Sequence, residues 1–232
     1  MLIRDWMAKD VLTVDENTSL MRATRIMKEN NIRKLPVVSH GKLLGIITDR
    51  DVKEASPSKT TSLDIHELYY LLSEMKVKDV MTKNPITMKG TDSLEKAALI
   101  MLENKISGIP VLNDVGHLSG ILSETDVLLG FIHATGIKDG AIQYVFNLPD
   151  APGAVTEVVK VLRENNARII SILTSYEEVG DDGIKQVAIR VTLPTKEASG
   201  ALTDVLSKRF ELVFHAQDEL DNLPTKRVAK ND

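Results

Sequence analysis

Apolar residues recur along the first half of this chain in short runs of two spacings, and every run comes twice. After Ser19, the residues Leu20, Ala23, Ile26 and Met27 fall at helical spacing and predict an amphipathic helix. Two aliphatic runs follow, Leu35-Pro36-Val37-Val38 and Leu43-Leu44-Gly45-Ile46-Ile47, separated by a glycine-containing turn and therefore predicted as paired strands. A polar break, Thr48-Asp49-Arg50-Asp51, leads into a second helix, and a short extended piece, Val11 to Val14, precedes the whole unit. The same sequence of signals reappears as Ile86 to Met88, a helix after Ser93 with Leu94, Ala97, Ala98 and Met101 inward, strands Ile109 to Leu112 and Leu118 to Leu122, and the break Ser123-Glu124-Thr125-Asp126.

The two runs superpose at one offset. Arg4-Asp5-Trp6-Met7 returns as Lys78-Asp79-Val80-Met81, Ser19-Leu20 as Ser93-Leu94, and Asn30, Ile32 and Pro36 as Asn104, Ile106 and Pro110. The offset then grows by one residue, so that Gly41, Gly45-Ile46 and Asp51 match Gly116, Gly120-Ile121 and Asp126. The extra residue falls in the turn Asn113 to Gly116, where a loop absorbs it. This is an internal duplication, with repeats expected over 1–56 and 77–135. A segment of about 55 residues buries too little surface to be secure alone, so the copies are expected to pack sheet to sheet around one shared core, with two related clefts. The connecting segment, 57–76, is turn-rich at first and then carries a helical pattern from Leu63 to Met75. Its His66-Glu67 pair lacks the second histidine of a zinc-binding helix, since Tyr70 stands there; a packing or dimer-contact helix is the simpler reading.

From Ala141 the pattern changes. An extended run to Leu148, the turn Asp150-Ala151-Pro152-Gly153, and a helix with Val155, Val158, Val159 and Leu162 on one face are followed by strands over Arg168 to Ser175 and Lys185 to Leu193. A helix near Lys196 to Lys208 and a strand over Phe210 to His215 complete β-α-β-β-α-β, the ferredoxin-like order, over 141–216. The end, 217–232, clusters Lys226, Arg227 and Lys230 among few apolar residues and is expected to be a flexible tail. The fold class is thus α/β (α+β), a tandem pair followed by a smaller domain.

Composition narrows the chemistry. Phe, Tyr and Trp make up 4% of the 232 residues, so the core is aliphatic and no stacking platform for single-stranded nucleic acid is available. A net charge of −4 gives no basic footprint for a duplex. Without cysteine there are no disulfides, thiolate nucleophiles or sulfur-held metals. No run approaches eighteen uncharged apolar residues, so the expectation is a cytoplasmic protein that binds neither nucleic acid nor membrane. The five histidines are scattered, and no nucleophile–base constellation or phosphate loop is present. No enzymatic activity, catalytic residue, metal or resident cofactor is expected.

What remains is Thr48-x-x-Asp51 and its copy Ser123-x-x-Asp126. Both are capping-box-like helix starts that need no ligand. Set in Gly45-Ile46-Ile47-Thr48-Asp49-Arg50-Asp51 and Gly120-Ile121-Leu122-Ser123-Glu124-Thr125-Asp126, they also resemble the signature of tandem CBS domains (a Bateman module), over Met1 to about Thr135. That resemblance implies an adenosine ligand, AMP, ADP, ATP or S-adenosylmethionine, in clefts between the copies. Thr48 and Ser123 would reach its ribose or phosphate, and Asp51 and Asp126 its ribose hydroxyls. A carboxylate is a strong acceptor for a cis-diol, and a strand-to-helix junction offers free N–H groups to a phosphate. The adenine would lie against Ile32, Leu35 and Pro36, or Ile106, Ile109 and Pro110. Arg33, Lys34 and Arg50 of the first copy would favour phosphate. The second copy has Ser107, Gly108 and Thr125 there, with Glu124 close by, so unequal affinities are expected; because such clefts mix residues of both copies, either could gain the cations.

The turn Asp150 to Gly153 before an apolar helix resembles the ACT domain, a regulatory fold that often binds amino acids. The resemblance implies an amino acid near Asp150 and Gly153. Arg168 stands where amino-acid-binding members often show Asn, which leaves dimerisation or coupling as the expected job. The order CBS–CBS–ACT is similar to bacterial acetoin-utilisation CBS-ACT proteins. The expectation is a non-enzymatic sensor and homodimer, relaying an adenosine ligand through the ACT domain; the alternative is a dimerising adaptor with no small-molecule ligand.

Overall fold

The computed structural model describes residues 1–56, 70, 72–139, 142–175, 183–195, 198–221 and 223–224, and the chain divides into two compact units, Met1–Gly130 and Phe131–Asp232. Most of the expected inter-repeat helix, with His66, lies outside the described residues, as do residues 176–182 between the strands expected over Arg168 to Ser175 and Lys185 to Leu193, and the tail from 225.

In the first unit, α1 (Leu20–Glu29), β1 (Lys34–Ser39), β2 (Lys42–Thr48) and α2 (Asp49–Ala55) form the first repeat, and α3 (Val77–Val80) and β3 (Thr82–Lys83) follow. The second repeat is β4 (Met88–Lys89), α4 (Leu94–Asn104), β5 (Gly108–Leu112), β6 (Leu118–Ser123) and α5 (Glu124–Thr135), whose last residues belong to the second unit. The copies start their helices identically. The hydroxyl of Ser19 accepts from the Arg22 N–H at 3.3 Å and that of Ser93 from the Lys96 N–H at 3.2 Å, satisfying one of the donors a helix start leaves open. Leu20, Ala23 and Met27 of α1, and Leu94, Ala97 and Met101 of α4, are the buried positions.

Each repeat builds its own core, which corrects the expectation of a single shared one. One cluster gathers Leu20, Leu35, Val37, Ile47 and Val52 with Val77; the other gathers Leu94, Ile109, Val111, Leu122 and Val127 with Ile3. The linking principle is an exchange of arms. Ile3, at the N-terminus, fills the second repeat's core, while Val77, after the connector, fills the first. Strand β3 lies antiparallel on β2, pairing Gly45 with Lys83 and Ile46 with Thr82, and Ala8 pairs likewise with Ile121 on β6. This close approach explains the glycine at both strand signatures. A Cβ on Gly45 would fall 2.8 Å from the Thr82 carbonyl oxygen, and one on Gly120 3.0 Å from that of Ala8.

The second unit contains β7 (Ile142–Pro149), α6 (Ala154–Glu164), β8 (Arg168–Ser175), β9 (Ile184–Thr192), α7 (Ala198–Arg209) and β10 (Glu211–Gln217), in a four-stranded antiparallel sheet ordered β10-β7-β9-β8. Alternate residues Tyr144, Phe146 and Leu148 of β7, and Val187, Ile189 and Val191 of β9, enter a core shared with Val158, Val161 and Leu162 of α6 and Leu202 and Leu206 of α7. The Tyr144 hydroxyl lies 3.2 Å from that of Thr203. Asp218, at the head of the expected tail, is tied to Arg190 at 3.1 Å.

Candidate functional site

A cavity of about 510 Å³ opens in the first unit between the two repeats, within the range of small-molecule sites. Three elements supply its lining: the N-terminal arm gives Ala8, Asp10, Val11 and Leu12, the α1–β1 junction gives Asn31, Ile32, Arg33, Lys34 and Pro36, and the second repeat gives Ser107, Ile121, Ser123, Glu124, Thr125 and Asp126. The first copy's cations therefore meet the second copy's Ser-x-x-Asp at the start of α5.

At that junction the cap is complete. The N–H of Ser123 donates to Oδ2 of Asp126 at 2.7 Å, its hydroxyl donates to the same oxygen at 2.6 Å, and the Asp126 N–H donates back to Oγ of Ser123 at 3.3 Å. The first Glu124 N–H reaches the Ser107 carbonyl at 3.2 Å. Among the described residues this leaves the Thr125 N–H and Oδ1 of Asp126 without a hydrogen bond. A single carboxylate thus holds the helix start with one oxygen and presents the other. The serine proton is committed to Asp126, so the hydroxyl offers a ligand an acceptor rather than the donor the sequence suggested.

Lys34 spans the repeats. Its ammonium donates to the carbonyl oxygen of Ser107 and, at 3.1 Å, to its Oγ. Its stem fills the place a side chain at Gly108 would take, where a Cβ would fall 2.6 Å from Cδ of Lys34. Gly108 is the counterpart of Lys34 in the duplication, so the lysine of one copy occupies the space that the other leaves without a side chain. Burial lowers the Lys34 pKa below the ordinary lysine value, partly offset by Glu124 and Asp126. Three carboxylates, Asp10, Glu124 and Asp126, stand against two cations in this lining, so the expected basic site is a mixed one.

The related residues of the first repeat form the same cap: the N–H and hydroxyl of Thr48 both donate to Oδ2 of Asp51 at 2.7 Å, and the Asp51 N–H returns to Oγ1 at 3.2 Å. Neither residue lines the cavity. Arg50, expected beside a phosphate in one of the two clefts, does not line this cavity; its side chain is 84% exposed and pairs with Glu54 at 2.8 Å. Of the expected adenine walls, Ile32 and Pro36 line the cavity. Leu35 and Ile109 are fully buried in the two cores, because strand alternation turns them inward with Val37 and Val111; Ile106, ahead of β5, packs against the second core, and Pro110 is buried in β5 without lining the cavity. The arm residues, Asp10 above all, were missed. The match of Arg4–Met7 to Lys78–Met81 was the signal that this arm sits in an equivalent place.

In the second unit Gly153 caps α6 with φ +92° and open space around it, a backbone shape that favours glycine. The Asp150 carboxylate is bound by Lys185 at 2.9 Å. Among the described residues no cluster of acidic or histidine side chains could hold a metal, and no helix is long and apolar enough to cross a membrane.

Comparison with known proteins places the repeats. The CBS domain family model matches residues 3–58 and 77–132. A CBS domain-containing protein of Dictyostelium discoideum is 34% identical over 128 residues, 55% of this chain and 88% of that protein. The structure of a Vibrio cholerae protein described as an acetoin utilization protein, AcuB, matches with a TM-score of 0.50 and 25% identity over 60% of this chain and 96% of its own. A CBS domain pair solved with 5′-methylthioadenosine and S-adenosyl-L-methionine is 31% identical over 56% of this chain and 95% of its own, with a TM-score of 0.47. Longer relatives are matched only in part: the chain spans 22% of an L-aspartate semialdehyde sulfurtransferase of Methanocaldococcus jannaschii.

Proposed function

Because this chain belongs to the family of CBS domain proteins, we propose that it is a non-catalytic regulatory sensor that holds an adenosine ligand, an adenine nucleotide or S-adenosylmethionine, beside Asp126. The observation that carries this reading is the cavity in which Arg33 and Lys34 of one repeat meet Ser123, Asp126 and the open N–H of Thr125 in the other. Oδ1 of Asp126 accepts from the ribose hydroxyls, a charge-assisted bond. The cations and the helix start receive the anionic end of the ligand, a phosphate or a carboxylate. The adenine lies against Ile32, Pro36 and Ile121.

The βαββαβ unit is read as an ACT domain that pairs with a second copy and reports the state of the repeats, with Asp150 and Gly153 as the place for an amino acid. A ligand shifts such an arrangement only through different affinities for its two states. Similarity to the Vibrio protein supports a role in acetoin or related carbon use.

The adaptor reading also has an observation in its favour: both capping boxes close within their own helix starts, so the Ser/Thr-x-x-Asp pattern serves the fold. Calorimetric titration with AMP, ATP and S-adenosylmethionine separates the two. The sensor binds one of them in a 1:1 ratio with the cavity, and Arg33→Ala weakens that ligand more than it weakens adenosine. Absence of heat and of competition by every adenosine compound, in folded protein, sinks the sensor and leaves the adaptor.

A further inference from the structure

Where the hairpins of the two repeats turn, a second cavity of about 400 Å³ opens in the first unit. Among the described residues it shares no lining with the cavity beside Asp126. It is also remote from the cap of the first repeat, since Lys42 and Thr48 stand at opposite ends of β2, roughly 20 Å of strand apart. The two turns meet here. Lys42 of the first hairpin pairs antiparallel with His117 of the second, so their side chains stand next to each other on one face. Asn113 fixes the second turn: its N–H donates to the His117 carbonyl at 2.9 Å, and its Oδ1 accepts from the His117 N–H at 2.9 Å. Gly41, with φ +81°, shapes the first turn, and the His117 ring lies against it, since a Cβ there would stand 3.7 Å from both Cε1 and Nε2. Packing across the turns therefore holds the imidazole at the cavity.

The chemistry of the lining is one-sided. Its polar side chains are Lys42, Asn84, Thr87 and His117, and among the described residues no carboxylate joins them. Asp114, in the second turn, is tied to Lys89 at 3.3 Å. Among the described residues the Lys42 ammonium, the Asn84 amide, the Thr87 hydroxyl and the His117 ring hold no hydrogen bond or ion pair. The duplication supplies a comparison: Asn84 is the counterpart of Asp10, at the offset that matches Arg4–Met7 with Lys78–Met81. Where the first arm carries a carboxylate, the second carries an amide of the same shape, so this place lacks the charge that would repel an anion.

We propose that this cavity binds a small organic anion, a carboxylate or phosphate head on a compact apolar body, clamped between the turns of the two repeats. Lys42 gives the head a charge-assisted bond. Asn84, Thr87 and an N–H of His117 add donors, and the body lies on Leu43 and Leu112. Lys42 and His117 come from different repeats, so the ligand ties one hairpin to the other. The cavity is then a second input to the repeat pair, independent of the adenosine ligand proposed above.

The test is a heteronuclear NMR titration of the whole chain with phenyl phosphate and with benzoate, phenol serving as the uncharged control. The expected result is saturable shifts at residues 40–43, 84–87 and 112–118 with at least one of the anions and none with phenol; the stronger anion identifies the head. Lys42→Met weakens that anion about tenfold, the loss of one charge-assisted bond, while Lys28→Met, at an exposed lysine of α1, leaves it unchanged. Shifts confined to residues 31–36 and 121–126 and lost in Arg33→Ala put the anion in the adenosine cavity; they overturn this site and leave the sensor standing. No saturable shift with either anion overturns the site, and so does equal weakening in Lys42→Met and Lys28→Met, which reports overall charge alone. Should Lys42→Met fail to fold, His117→Ala on the opposite turn decides: unchanged affinity there overturns the clamp.

Discussion

Asp126→Ala and Asp51→Ala form a pair in which the duplication separates two roles that one carboxylate combines. In both repeats the carboxylate accepts the N–H and hydroxyl of the capping residue, at 2.7 and 2.6 Å in one and 2.7 and 2.7 Å in the other. Removing either carboxylate costs the fold about the same, on the order of 1–2 kcal/mol for a lost cap interaction, or roughly 2–8 °C in Tm. The ligand role is not symmetric, because only Asp126 lines the cavity with Arg33 and Lys34. A ligand at about a hundred times its Kd adds about 2.7 kcal/mol to the wild type. In Asp51→Ala this gain should survive whole on the lowered baseline. In Asp126→Ala the loss of a charge-assisted acceptor worth about 1.5–3 kcal/mol weakens binding about 10- to 150-fold and removes most of the gain. The assay is a thermal melt of each variant with and without AMP, ATP or S-adenosylmethionine. Equal baselines with equal ligand gains in both variants would refute the assignment of the cavity to Asp126, and a gain lost only in Asp51→Ala would move the ligand to the other cleft.

Two further outcomes follow from single contacts. Burial holds the Lys34 pKa below its ordinary 10.5, so folding disfavours its charged form; the cost is fully present below the lowered pKa and fades as pH rises toward 10.5. Lys34→Met therefore matches or exceeds the wild type near neutrality, and the wild type gains on it as pH climbs to 10.5, while ligand affinity in the variant falls; parallel Tm curves from pH 7 to 10.5 would sink this account. Gly45→Ala sets a Cβ 2.8 Å from the Thr82 carbonyl and 2.7 Å from Sδ of Met81, which costs about 1–3 kcal/mol and loosens β3. Faster hydrogen exchange at residues 82–84 is the expected readout, and unchanged protection there would contradict the arm's close approach.

Local elements were legible because each rests on local chemistry. Ser19 and Ser93 announce their helices by capping them, and the apolar spacing of Leu20, Ala23 and Met27 marks the buried face. The exchange of arms was not legible as packing, although its trace, Arg4–Met7 matching Lys78–Met81, was. A match in sequence says that two segments sit in equivalent places, and the places turned out to be each other's repeat. The adenine walls failed in part for a related reason. Leu35 and Ile109 are apolar residues near the signature, and only strand alternation, fixed by the register of β1 on β2 and β5 on β6, decides which neighbours face the cavity and which the core.

Duplication also explains why this site is lopsided. A copied fold must keep what holds each copy together, and the glycines under the arms, the serine caps and the Thr/Ser–Asp boxes are present twice. Positions between the copies are free to differ, and they do: Lys34 crosses to its own counterpart, Gly108, where a second lysine would meet it with like charge. Arg33 and Lys34 of the first repeat thus stand at the helix start of the second, and the proposed sensor would receive the anionic end of its ligand there.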